Sequence, residues 1–344
     1  MKRKIAIAGM TCLMLTVIVL PFIAPPAESA APKKYEWKFF VPGTPTVPFS
    51  PLNVQMCDKI RERTKGRLDI KVYFYGELPY KNADVLTVVQ DRKVEVGSCF
   101  DGHAEGVQDW YGLIYMPTIF SGRAEALKMN DEVIMPFMDK TLRKNIGVIP
   151  LCRCVWNAND IFSRKKLTSL SDIKGQKLRC ASAIQEVLVK ELGGIPFYVD
   201  QPEVYTALQR GTIDGAITGA TWARGGKWFE VIKWLYIWDF TQAGEGIYVN
   251  EAAFNELPKD IKDIVVATAK EINDIKLSKA VELDRGAIEE AEKVYKRTVT
   301  HISASDHAKA LKLGDKIIDD WLKAPKRSDD AKRLYDLILK AKKK

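Results

Sequence analysis

The sequence is poor in the residues on which most hydrolases and metal proteins depend. It has three histidines in 344 residues, His103, His301 and His307. No spacing among them suggests a triad or a metal cluster. GxSxG, HExxH and glycine-rich phosphate-loop motifs are all absent, which removes the commonest hydrolase, zinc-protease and nucleotide-binding readings. Cysteine is scarce: there are six, one of which, Cys12, lies in the N-terminal leader. The others, Cys57, Cys99, Cys152, Cys154 and Cys180, are odd in number and lack CxxC spacing. They read as small buried hydrophobes rather than a disulfide framework. Beyond residue 23 no apolar run is long enough to span a bilayer. No metal and no cofactor is expected.

What is present begins with an export signal. Lys2, Arg3 and Lys4 form a basic segment, and residues 5–23 are almost wholly apolar. Ala27-Glu28-Ser29 and Ser29-Ala30-Ala31 both fit the small-residue cleavage pattern, so residues 1–30 read as a signal peptide cleaved near Ser29 or Ala31. An uncleaved anchor is the alternative; Pro21, Pro25 and Pro26, followed by small residues, disfavour it. The mature chain is expected to be periplasmic and soluble. A little over three hundred residues is too long for one ordinary core and implies two domains. The formal charge of +9 falls to about +7 without the leader. With no basic stripe interleaved with aromatics, that excess does not indicate nucleic acid, but it favours the approach of an anion.

Hydrophobic periodicity gives two similar units. In the first, strands at 37–41, 68–75 and 94–99 alternate with helices at 52–64 and 83–92. The third strand empties into Phe100, and His103 just beyond it reads as a loop or satisfied histidine. In the second, strands at 177–181, 195–199 and 213–218 alternate with helices at 184–192 and 203–208. Ligands of open parallel sheets bind beyond the carboxyl ends of the strands. Arg179 and Thr218 lie at two such ends. A helix at 124–142 and a strand at 147–155 carry the chain between the units, and a strand at 246–250 returns it. Trp228, Val231, Ile232 and Leu235 fit one helical stripe. From Pro258 a periodic run continues past Val294, as one long helix behind both lobes or as two kinked at Gly286. The remaining segments, 307–321 and 329–340, read as helices packed on the second domain.

The second unit also carries a family resemblance. KGQKLR (174–179), followed by EVYTALQRGTIDGAI (203–217), resembles the signature of the solute-binding proteins of tripartite ATP-independent periplasmic (TRAP) transporters, the DctP-like family. Members show a KGLKIR-like strand and then an EVYxALQxGxxDG helix, turn and strand. MPTIF (116–120) is similar to the family's proline-containing segment, and the likeness extends more weakly over residues 35–321. It implies an α/β, two-lobed periplasmic-binding-protein fold (class II-like), each lobe a mixed sheet with flanking helices. Lobe 1 would comprise 31–155 plus 245–284 and lobe 2 156–244 plus 285–344, joined by crossing strands and the long helix.

The resemblance further implies a binding protein, not an enzyme. It would capture a small organic acid in the interlobe cleft as a monomer and pass it to the membrane subunits of a TRAP transporter. A periplasmic lyase or hydrolase, or a ligand sensor, on the same fold is the alternative. By the same resemblance the ligand-binding residues are Arg179 as carboxylate anchor, Thr218 where asparagine is common, Phe100 after the third strand, and Asn159 where many members carry a second arginine. Trp156 and Trp222 fall at positions facing the cleft. One guanidinium walled by aromatic rings suits a monocarboxylate with an apolar or aromatic body, unless Arg153, Arg164 or Arg224 replaces the missing arginine.

Overall fold

The protein is described by a computed structural model over residues 33–343; the expected signal peptide and its cleavage points lie outside the described residues. Eleven strands form among them: β1 (Tyr35–Val41), β2 (Leu68–Phe74), β3 (Val96–Phe100), β4 (Val148–Ala158), β5 (Asp160–Ser163), β6 (Lys177–Cys180), β7 (Ile195–Tyr198), β8 (Gly215–Thr218), β9 (Trp234–Ile237), β10 (Gln242–Asn250) and β11 (Thr298–His301). They make two mixed sheets, β2-β1-β3-β10-β4 and β11-β9-β5-β8-β6-β7, each flanked by helices. The fold is two-lobed α/β.

Both sheets are covered on both faces, and the strand sequences show why. In β1, Trp37, Phe39 and Val41 enter one hydrophobic cluster while Phe40 enters another on the opposite face. In the second sheet Ile161, Ile217 and Tyr236 face one way and their neighbours Phe162, Ala216 and Leu235 the other. The parallel pairs β1–β2, β1–β3, β6–β7 and β6–β8 point their carboxyl ends toward the gap between the lobes. Two chain segments cross that gap side by side. β4 runs into β5 with only Asn159 between them, and β9 returns to β10 through residues 238–241. The Asn159 amide donates to the Thr241 carbonyl at 3.0 Å. Asp160 Oδ1 accepts from the amides of Trp238 at 2.8 Å and Asp239 at 3.1 Å.

The long periodic run is one helix, Lys259–Lys293. Gly286 does not kink it: at that position a side chain would find only Arg224 Nη1, at 3.9 Å. The helix touches β4 and the helix Ser50–Arg63 in the first lobe, and β11 and the helix Ala220–Gly225 in the second.

Three readings of the sequence are corrected, and three short strands are added. The 124–142 helix is interrupted by a π-turn, Asn130–Ile134, which presents Asn130 Oδ1 to Arg153. Leu235 belongs to β9, not to a helix with Trp228; the run of apolar residues at helical spacing is broken after the turn Trp228–Glu230. Strands β5, β9 and β11, four residues each, are too short to declare a period of two. The last helix, Asp329–Lys342, packs on the first lobe: Ser328 at its N-cap bonds Asp109 through its amide at 2.9 Å, and Arg333 reaches Thr141 at 3.1 Å.

The first lobe is held internally by a dry ion pair. Arg153 on β4 binds Asp101 with Nη2 to Oδ2 at 2.5 Å, and both side chains are essentially inaccessible to water. Its Nη1 donates to Asn130 at 2.8 Å. The adjacent strand must lack a side chain here, because a Cβ on Gly244 would collide with Arg153 Nη2 and Asp101 Oδ2. Breaking such a pair typically costs about 3–5 kcal/mol. Gly244→Ala is therefore expected to lower stability by about 1–3 kcal/mol or more, read as a lower urea midpoint. Gly106→Ala, where a Cβ meets nothing within 4 Å, is expected to leave the midpoint within error.

Candidate ligand-binding site

A cavity of about 930 Å³, counted to its open mouth, lies between the lobes. Its walls are made by the carboxyl ends of β1, β3, β6 and β8, by β4 and β10 where they cross, and by one face of the long helix. Arg179, Thr218, Trp222, Asn159, Phe100 and Trp156 all line it.

Arg179 is 4% exposed. Its Nε donates to the Val199 carbonyl at 2.8 Å and its Nη1 to the Ile217 carbonyl at 3.2 Å. These carbonyls belong to the ends of the two strands that flank β6, so the backbone of the sheet aims the guanidinium. Among the described residues it forms no ion pair. Burial pulls its pKa down, countered by nearby Cys180 and the Tyr198 and Tyr115 phenols. An arginine stays charged even so, and a desolvated charge without a counter-ion is costly.

Asn159 does not point freely into the cavity. Its Nδ2 donates to the Tyr115 hydroxyl at 2.5 Å, and Gln185 Nε2 donates to the same oxygen at 2.5 Å. Tyr115 thus bridges the crossing segment to the helix Ala183–Glu191 of the second lobe. Its own carbonyl accepts from Thr241 Oγ1 at 3.1 Å on the other crossing segment. With both lone pairs engaged, the phenol retains its proton as a donor.

The aromatic wall centres on Trp156. Phe100 stacks parallel to it at 6.1 Å, Trp222 lies 4.6 Å away, and Phe49 6.1 Å. Thr218 closes the β8 end, 8% exposed. Arg153, Arg164 and Arg224, the candidate replacements for a second arginine, do not line this cavity. Arg153 is fixed by Asp101 and Asn130, Arg224 faces Glu290 at 3.8 Å, and Arg164 lies against Gly211.

Sequence reasoning missed several lining groups. Tyr115, Phe49, Glu245 and Asp284 sit in no motif; they are gathered only by the crossing of the segments. Burial pushes the Glu245 carboxyl up, countered by buried Lys276 and by Asn53; Lys276 Nζ bonds Asn53 Oδ1 at 2.7 Å. Burial also raises Asp284, against two bonds from Thr221. His103, read from sequence as a loop or satisfied histidine, is neither. It lies in a short helix, Asp101–Ala104, and both ring nitrogens are buried without a hydrogen-bond partner. Burial, and then the Arg179 charge, holds its imidazole down at about 3.

Unfolded histidine takes up its proton near pH 6.5, so here the folded state binds fewer protons than the unfolded state from about 6.5 down to 3. The contribution is intact above 6.5 and is lost as pH falls through that window, by up to about 1.4 kcal/mol per pH unit. Urea denaturation should therefore show the native protein losing stability relative to His103→Phe between pH 6.5 and 4.5. Parallel curves would contradict a buried neutral imidazole.

A family model described as "Bacterial extracellular solute-binding protein, family 7" matches residues 46–324. The chain is 23% identical over 284 residues to the 2,3-diketo-L-gulonate-binding periplasmic protein of Escherichia coli, covering 82% of this chain and 85% of that one. It is 28% identical over 205 residues to the C4-dicarboxylate-binding periplasmic protein of Rhodobacter capsulatus, covering 58% and 60%. Among solved structures it superposes on a Bordetella pertussis extracytoplasmic solute receptor binding pyroglutamic acid, with a TM-score of 0.81, 21% identity and coverage of 88% and 99%. It also superposes on a Desulfovibrio salexigens TRAP periplasmic solute-binding protein with bound orotic acid, with a TM-score of 0.80, 21% identity and coverage of 90% and 99%.

Proposed function

Since the chain belongs to the bacterial extracellular solute-binding proteins of family 7, we propose that it captures an organic carboxylate between its lobes and delivers it to the membrane subunits of a TRAP-type secondary transporter. The observation that carries this reading is the guanidinium of Arg179, buried, aimed by two backbone carbonyls into the cavity and without a counter-ion among the described residues. A ligand carboxylate supplies that counter-ion and matches the planar fork in a bidentate pair. Relatives and neighbours named for 2,3-diketogulonate, C4-dicarboxylates, pyroglutamate and orotate all handle carboxylic acids. The protein works in the periplasm after loss of its leader, without turnover of the ligand. The lobes swing about the paired segments near Asn159 and Thr241, closing when the ligand joins them.

The acid it takes is a monocarboxylate. Arg153 is bound to Asp101, Arg164 and Arg224 do not line the cavity, and Asn159 Nδ2 is given to Tyr115. A second carboxylate would be desolvated against Phe100, Trp156 and Trp222 or set near Glu245 and Asp284, at a penalty of several kcal/mol. A flat ring stacked on those side chains gains about 0.5–1.5 kcal/mol beyond area burial. Thr218 donates a further hydrogen bond to the anchored group.

Isothermal titration against pyroglutamate, orotate, glucuronate, benzoate and succinate tests the assignment. The native protein should bind one or more of the monocarboxylates, with succinate weaker. Arg179→Ala should lose about 2–5 kcal/mol of binding, and Arg179→Lys should not restore it. Unchanged affinity in either variant with the fold intact, or succinate binding the tightest, would overturn the reading. Turnover of any of these acids would favour an enzyme.

A further inference from the structure

Several buried polar atoms lack a hydrogen-bond partner, and they gather around the cavity. Both ring nitrogens of His103, Nε1 of Trp156, Oδ1 of Asn82 and Oε1 of Gln201 belong to residues lining it. Buried polar atoms in native proteins are almost always paired, and an unpaired one calls for a cause. All five belong to residues that line one cavity, and those residues come from both lobes. His103 stands on the helix Asp101–Ala104, which packs against the turn Asn82–Asp84, so His103 and Asn82 share the first-lobe wall. Gln201 opens the turn Gln201–Glu203 in the second lobe, two residues beyond Val199, whose carbonyl holds Arg179 Nε. If the lobes part, water reaches these atoms. With the lobes closed and the cavity empty, nothing satisfies them.

Resting on carboxylate capture at Arg179, we propose that His103, Asn82 and Gln201 form a second, uncharged polar subsite, and that the ligand's body carries an uncharged hydrogen-bond donor and acceptor, as a lactam, an imide or a hydroxy acid does. A neutral imidazole offers one donor and one acceptor, and the two amide oxygens accept. Burial, and then the Arg179 charge, disfavours the imidazolium, so the subsite discriminates by hydrogen bonding rather than charge. The edge-on contact of His103 with Phe100, ring centroids 5.1 Å apart, orients the ring. A plain hydrocarbon body would leave every one of these atoms unpaired, and a site built of buried polar groups rejects such an analogue strongly.

Matched pairs of probes isolate this claim: pyroglutamate against cyclopentanecarboxylate, orotate against benzoate, and glucuronate against cyclohexanecarboxylate. Each pair shares a carboxylate and a ring size and differs in the neutral polar groups. In titration calorimetry on the native protein, the polar member of at least one pair should bind at least about tenfold tighter than its partner. His103→Phe should erase that ratio while leaving the hydrocarbon carboxylate bound. His103→Gln, which keeps a donor and an acceptor, should retain most of the ratio. As a readout independent of affinity, ¹⁵N-histidine spectra resolve three imidazoles at most, and the His103 resonance should move on addition of the polar probe. Carboxylates bound without preference within any pair, or a ratio that survives His103→Phe, would overturn the subsite and leave Arg179 untouched. Binding of none of the six would count against both.

Discussion

A guanidinium withdrawn from water without a counter-ion is the constraint on which the cavity depends. Arg179 sits at the end of β6, and the carbonyls of Val199 and Ile217, beyond β7 and in β8, hold it there. Each of these carbonyls is available because the three strands run parallel and end together. The sheet topology thus converts a sequence position into an aimed charge. Two neutral carbonyl bonds do not offset the loss of hydration of a full charge, which leaves a standing demand for an anion.

Between the lobes runs one buried hydrophobic cluster, from Tyr111 and Val155 to Ile184 and Ile217, and polar groups are shared across it. Tyr115 of the first lobe takes bonds from Asn159 on the crossing segment and from Gln185 of the second lobe. Asp160 ties the outgoing crossing segment to the returning one. Such contacts are specific in direction and can be replaced by water, which suits the proposed hinge. The dry pair of Arg153 and Asp101 is of another kind. It lies within one lobe and is enclosed by the bare Gly244, so it serves rigidity.

Much of this was legible before the fold was known. The two β-α-β-α-β units follow from periodicity, which left the long run open between one helix and two, and the six positions placed at the cleft by strand ends and by the family resemblance do line one cavity. Strand ends are readable because a parallel sheet makes them converge. What escaped were features set by distant contacts. β5 and β11 are too brief to show a period. Trp228 and Leu235 lie at helical spacing, yet the chain between them turns because Lys233 must pair with Ser163 of β5. The last helix could be read as a helix but not located, since its anchor to the first lobe is Asp109, some two hundred residues earlier. His103 carried no motif, and its missing partners are visible only once the neighbouring walls are in place.

The most direct measurement is a crystal structure of the protein with the tightest-binding of the monocarboxylates titrated above. The account predicts closed lobes and the ligand carboxylate bidentate on Arg179, its oxygens about 2.7–2.9 Å from the guanidinium nitrogens, with the ligand body against Trp156. A carboxylate seated elsewhere in the cavity, with Arg179 still bound only to the Val199 and Ile217 carbonyls, would contradict it.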